Sequence, residues 1–288
     1  MNILLTGATG LVGQAVTRHL EQQAGEHQVY FAVRRPALAR DQLPAKTWQI
    51  RQFDFDDPYS YEPALQDIDR LFLLRPPQLT DIKGKIVPLL ETAERLGVEH
   101  VVFLSIQAVE HNKWTPHYKM EHAIKHSGLS YTFLRSGFFM QNLLTAMLED
   151  IRDRNEIFVP ASDNRFNFVD VDELGEVACK TLLETAHENK AYTLIGTSPM
   201  DYYRVASLLS SVLQRPIRYS NPSVVWFAIK KLMKGVALPF VIVMIVLYRY
   251  TKLTPEDQYA HTLQRLLHRP PKQLLSFIEE NSEAFQPE

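Results

Sequence analysis

Apolar and polar positions follow two rhythms along the first half of the chain. Solid apolar runs at Asn2–Thr6, Gln28–Val33, Trp48–Phe53, Arg70–Leu74, His100–Ser105 and Ser130–Arg135 predict strands covered on both faces. Between them, apolar residues recur at three- and four-residue spacing. That pattern predicts helices over Leu11–Gln23, Tyr59–Leu65, Ile82–Leu96, Pro116–Ser127 and Phe139–Arg152. Gly97 and Gly128 stand where a helix C-terminus favours positive φ. Strand–helix alternation of this kind predicts an α/β fold, a Rossmann-type doubly wound parallel sheet.

Beyond about residue 155 the rhythm loosens. Arg165–Val169 and Ala191–Ile195 read as strands, and Asp170–Glu184 and Asp201–Leu213 as helices. After Pro222 the chain is largely helical and apolar, and it closes on a helical pattern over Pro271–Asn281. The expected organisation is a core over residues 1–155 and a smaller, mostly helical C-terminal lobe over 156–288, intertwined with the core.

Composition changes this picture little. A net charge of −2 over 288 residues gives no reason to expect nucleic acid. The single cysteine, Cys179, lies in an apolar helical pattern and reads as core, and the ten histidines form no metal-ligand spacing. Met1 is already at the edge of the first strand, so no signal peptide is expected and a cytoplasmic location is. Val236–Tyr248 (VALPFVIVMIVLY) is strongly apolar, flanked by Lys230, Lys231, Lys234, Arg249 and Lys252. It is shorter than the roughly 20 residues that span a bilayer, so it reads as a buried helix or a lid over an apolar pocket. A peripheral membrane contact with a basic rim is the rival reading.

The chemistry begins at Thr6–Gly13 (TGATGLVG), a glycine-rich turn between a strand and a helix. Gly7 suits a sharp turn, Gly10 a close backbone approach to a pyrophosphate, and Gly13 tight helix–strand packing. The amides of Leu11, Val12 and Gly13 open the helix, and with Thr9 they complete a dinucleotide cradle. At the end of the second strand an acidic residue favours NAD and an arginine NADP. Here Arg34 and Arg35 stand there, with no acid before Asp41, so NADP(H) is expected. Asp54 and Phe55 flank the adenine in this reading. Ligands of open sheets lie beyond the strand C-termini, which brings Leu74-Arg75-Pro76 and Ser105 toward the nicotinamide. The Ser105 hydroxyl reads equally as a backbone cap. Gln107, Phe138, Phe139 and Asn142 are expected to wall a pocket for a planar or apolar small molecule.

These motifs together resemble the NmrA-like group of atypical short-chain dehydrogenases/reductases over nearly the whole chain. The likeness is carried by Thr6–Gly13, by Arg34, by His117–Leu144 (HYKMEHAIKHSGLSYTFLRSGFFMQNLL) and by Leu266–Phe277 (LLHRPPKQLLSF). It implies a reductase that passes hydride from NADPH to a small carbonyl or quinone. One departure stands out: no Tyr-x-x-x-Lys follows Ser105, because four residues beyond Tyr118 is His122. Counting back from Tyr131-Thr132, His117 occupies the place where some relatives carry a single lysine, with Lys119 two residues on. His117 in that place is a candidate proton donor to the acceptor, and reads otherwise as a hydrogen-bond partner of the nicotinamide or a cap of its helix; Ser105 is the other catalytic candidate. Glu121 is expected to pair with Lys125 one helical turn away. The family also contains nucleotide sensors that act through protein partners, and the missing motif keeps a non-catalytic NADP-binding regulator as the alternative. Oligomeric state is not legible.

Overall fold

Ile3, Leu4 and Leu5 are all fully buried, which a solid apolar run requires of a central strand. In the computed structural model, which describes residues 1–40, 43, 48–250 (Tyr250 as backbone) and 261–287, they form the middle of a seven-stranded sheet. Asp41 and Lys252 lie outside the described residues. The strands are β1 (Asn2–Thr6), β2 (Gln28–Val33), β3 (Gln49–Gln52), β4 (Arg70–Leu73), β5 (His100–Ile106) and β6 (Ser130–Ser136). Outside β6 lies Lys190–Leu194, and the order of the other six is β6-β5-β4-β1-β2-β3, paired in parallel throughout. That is a doubly wound sheet whose topological switch point falls between β1 and β4.

The helices of this first unit are α1 (Leu11–Gln23), α2 (Pro36–Ala39), α3 (Tyr61–Leu65), α4 (Val87–Arg95) and α5 (Pro116–Lys125). A wide helical turn, Ile82–Ile86, leads into α4. On one face Leu4, Leu71, Leu73 and Phe103 pack with Leu89, Leu90 and Ile124. The unit comprises Met1–Ser136 and Val171–Thr193. The sequence suggested a boundary near 155; instead the chain leaves this unit after Ser136 and returns to it for a helix, Val171–Leu183. That helix packs on α1. Gly175 permits the approach, since a Cβ there would lie 2.7 Å from the Ala15 carbonyl carbon. Cys179 on the same helix is fully buried, and burial pushes its thiol up to about 12.

The second unit is Gly137–Asp170 with Leu194–Glu288. The helix expected over Phe139–Arg152 is broken. Phe138–Phe139 is a short strand, β7; Met140–Leu143 is a 3-10 turn; and only Leu148–Arg154, α6, is α-helical. Phe138 and Phe139 pair instead with Phe168 and Val169, a tertiary pairing that overrides local periodicity. Glu156–Ile157 (β8), Phe168–Val169 (β9) and Arg218–Tyr219 lack the length to show a pattern. The core is aromatic: Phe166, Phe168, Tyr202, Phe227 and Tyr248 are all buried together. With α7 (Val171–Leu183) and β10 (Lys190–Leu194) in the first sheet region, the remaining elements are α8 (Tyr202–Leu213), β11 (Arg218–Tyr219), α9 (Val224–Met233) and α10 (Leu238–Tyr250). Helices Thr262–Leu267 and Leu274–Glu280 end the unit.

The apolar segment Val236–Tyr248 does not form the buried helix expected of it. Only Val241 and Tyr248 are buried, while Leu238, Phe240, Ile242 and Val246 are exposed. No described helix is long and apolar enough to cross a membrane.

Candidate functional site

The first unit carries a cleft of about 760 Å³ at the C-terminal ends of β1 and β4, the switch point of its sheet. Its wall is the turn after β1. Gly7 adopts φ +66°, and a Cβ there would meet the Leu74 side chain at 3.0 Å. Gly7 is thus doubly required, by conformation and by the loop after β4. Gly13 lies behind the turn, where a Cβ would stand 2.1 Å from the Gly7 carbonyl oxygen. The turn closes through a Gly10 amide donated to that same oxygen at 3.0 Å. Gly10 heads α1 without a side-chain cap, and no acid occupies the first helical turn. The positive end of α1 is therefore uncompensated, and its first amides have no intrahelical acceptor. Thr9, Gly10, Leu11 and Val12 all line the cleft.

Thr6 also lines it, but its hydroxyl is committed to the neighbouring strand. It accepts the Leu74 amide at 2.7 Å and donates to the Phe72 carbonyl at 3.1 Å. Thr6 thereby fixes where β4 ends. At the far rim Arg34 and Arg35 are exposed, with no side-chain partner among the described residues. Asp54 accepts the Asp56 amide at 3.0 Å, and Phe55 stacks edge-on against Phe53 at 4.8 Å. Sequence reasoning missed Lys85, which lines the same rim and pairs with Asp56. Nothing local marks that pair, since its members are 29 residues apart.

Leu74, Arg75 and Pro76 form the other wall. Arg75 is turned back on its own loop, with Nη1 donating to the carbonyls of Pro76, Pro77 and Leu79 at 2.8, 2.9 and 2.6 Å. Burial holds its guanidinium down to about 10. It stiffens the wall rather than extending into the cleft.

His117 stands in the first turn of α5, its ring 6.3 Å from that of Phe103. Burial, with a smaller push from the Arg75 charge, lowers it to about 3. At neutral pH it is a neutral imidazole, with no carboxylate to hold a proton on it. This counts against the proton-donor role expected of it.

Ser105 is 1% exposed and donates its hydroxyl to Glu121 Oε1 at 2.7 Å. Glu121, itself buried on α5, also accepts Arg135 Nε at 3.0 Å and Nη2 at 2.7 Å. Arg135 Nη1 reaches Glu110 Oε2 at 3.2 Å. Ser105 and Arg135 are direct neighbours across β5 and β6, so one carboxylate ties both strands to the helix. The local Glu121–Lys125 pair expected from the sequence is absent. Lys125 Nζ lies instead 5.9 and 5.6 Å from the ring centroids of Tyr131 and Phe133. Neither Ser105 nor His117 lines the cleft. Gln107 is buried after β5, and its amide donates to the Ser136 carbonyl at 2.8 Å. The next residue, Ala108, is held at φ +58°, a conformation disfavoured for a side chain.

The other expected pocket residues lie in the second unit. Phe138 packs on Phe166 with centroids 4.5 Å apart, and on Tyr248 at 6.0 Å. Phe139 is half-buried beside it in β7, and Asn142 is half-buried in the following turn. The Asn142 carbonyl accepts the Met147 amide at 3.1 Å, and its carboxamide has no partner among the described residues. Gln141, in the same stretch, donates to the buried Asp170 at 2.6 Å. Asp170 is paired in turn with Lys272 at 3.1 Å.

Comparison with known proteins bears on the whole chain. An NAD(P)H azoreductase of Xenophilus azovorans is 27% identical over 98% of this chain and 99% of its own. An NADPH-dependent quinone oxidoreductase of Escherichia coli, solved with NADPH, superposes with a TM-score of 0.85 at 24% identity, covering 96% and 99% of the two chains. A triphenylmethane reductase of Citrobacter, solved with NADP(H), gives 0.80 at 23% identity, covering 97% and 99%. At that identity the two structures speak to the fold. The model of the NmrA-like family matches residues 1–262, and the chain belongs to that family.

Proposed function

We propose that this protein is an NADPH-dependent reductase of small apolar or aromatic acceptors, quinones and azo compounds foremost. The observation that carries the reading is the cleft's pairing of an uncapped helix N-terminus with two arginines at the opposite rim that have no side-chain partner among the described residues. The distribution of donors fits a dinucleotide bearing a diphosphate and a 2′-phosphate. The family membership and the reductases among the relatives support it.

In this reading the amides of the Gly7–Gly13 turn bind the diphosphate, and Arg34, backed by Arg35, binds the 2′-phosphate through a planar fork. Asp54 and Phe55 flank the adenine. Bound NADPH supplies the hydride. Arg75 keeps the wall formed by Leu74 and Pro76 rigid. The neutral His117 offers an N–H hydrogen bond but is not an imidazolium acid at neutral pH. Ser105 is spent on Glu121. The acceptor's proton is then taken from solvent, which suits quinones, whose reduced anion is stable before protonation, while an azo acceptor takes its proton as the hydride arrives.

The same two observations favour a second reading, a nucleotide-binding regulator with no turnover. One pair of measurements separates them. NADPH oxidation with a quinone and azo-dye panel, run beside calorimetric titration with NADPH and NADP⁺, is expected to show binding and turnover together. Tight binding that discriminates the two redox forms, with no oxidation of NADPH by any acceptor, would replace the reductase by the regulator.

A further inference from the structure

The helices α9 and α10 pack on one another in the second unit, and both carry apolar stripes that face solvent. On α9 the stripe is Val225, Trp226, Ile229, Leu232 and Met233, exposed by 69, 54, 43, 42 and 81%. On α10 it is Leu238, Ile242 and Val246, with Phe240 beside them. Each set follows i, i+4, i+8 spacing or close to it, so each is one face of a helix. From Leu238 to Leu247 there is no polar residue at all. A helix apolar all round normally lies in a core or in lipid, yet this one buries only Val241 and Tyr248 in the protein. Exposed apolar surface of this extent marks an interaction site.

Charge indicates what that site meets. Between Tyr202 and Pro255 the chain has eight lysines and arginines and no acid, whereas the remainder carries a net charge of −10. Some of these cations are already neutralised: Lys230 pairs with Asp150 and Glu156, and Lys234 with Glu149. Lys231 is buried, with its ammonium on the Ala146 carbonyl. Arg218 and Arg249 are exposed and have no acidic partner among the described residues. Arg249 closes α10, and its charge acts on Tyr219, which adjoins Arg218. A band of apolar side chains accompanied by guanidinium groups that have no acidic partner among the described residues complements a surface that is apolar within and anionic outside.

We propose that the α9–α10 hairpin is a docking surface for an anionic phospholipid bilayer, lying in the interfacial plane. With 13 residues, α10 is only about 20 Å long, short of the roughly 30 Å hydrocarbon core, so it rests on the membrane rather than crossing it. The stripes enter the headgroup–acyl boundary, and Arg218 and Arg249 engage lipid phosphates.

The test is flotation of the full-length protein with vesicles of phosphatidylcholine containing phosphatidylglycerol, against phosphatidylcholine alone. The expected results are flotation with the anionic vesicles and a blue shift of tryptophan fluorescence that Trp226→Phe removes without loss of binding. Replacing Arg218 and Arg249 by Gln is expected to weaken partitioning by about fivefold per charge. Met233→Glu with Ile242→Glu is expected to weaken it by about tenfold or more while leaving the melting temperature unchanged, since both sites are exposed. The proposal is overturned if the protein stays off both kinds of vesicle. It is equally overturned if lipid-free protein self-associates by light scattering and the double Glu variant makes it monomeric, because the face then seats a second copy.

Discussion

Two polar constellations sit at strand C-termini in the first unit, and they differ in what they leave unsatisfied. At β1 the Gly7–Gly13 turn presents amides without acceptors, and across the cleft Arg34 and Arg35 have no partner among the described residues. At β5 and β6, the buried Glu121 carboxylate takes up both the Ser105 hydroxyl and the Arg135 guanidinium, which also faces the half-exposed Glu110. The residue types suggest the reverse, for Ser, Glu and Arg are more reactive than glycine. Open hydrogen-bonding valence makes a binding site; a closed network makes a strut.

Four substitutions sharpen that contrast. Glu121→Ala is expected to have the largest effect, about 3–5 kcal/mol of stability, because it strands the Arg135 charge and the Ser105 hydroxyl. Denaturant unfolding reads it, and unchanged stability would remove the strut. Gly13→Ala follows at about 1–3 kcal/mol, since the turn must shift to admit a methyl group. It is expected to weaken binding of NADPH and NADH alike. Arg34→Ala leaves stability alone and weakens NADPH binding by about 10- to 100-fold, the worth of a charge-assisted hydrogen bond, with NADH binding little changed. Equal losses for both cofactors would move the 2′-phosphate contact away from Arg34. The smallest effect is reserved for His117→Gln. The loss in turnover should fall well short of the roughly hundredfold that removal of a general acid entails. The histidine stays neutral down to about pH 3, so neither protein should show a His117-dependent inflection between pH 5 and pH 8. An inflection abolished by His117→Gln would restore the acid.

How much of this the sequence disclosed depended on whether the signal was local. The glycine turn, the first six strands and the position of Arg34 are spelled out within a few residues, and each reads directly. Glu121 was misread because its partners lie 14 and 16 residues away, brought together by the register of β5 on β6. Phe139 reads as the start of a helix because its pairing partner, Val169, is 30 residues further on. The length of Val236–Tyr248 argues against a membrane span and for a buried helix or a lid, but length does not say which residues are covered, and most of this helix is exposed.

The return of Val171–Leu183 to the first unit bears on the order of events during synthesis. A ribosome releases the chain from its N-terminus, at roughly 5–20 residues per second. The side of the sheet against which α1 and this helix pack stays incomplete until residues near 190 have emerged. For that interval Ala15 faces a vacancy that only Gly175 fits. An N-terminal fragment ending near residue 155 would be arrested at that stage, with apolar surface bare.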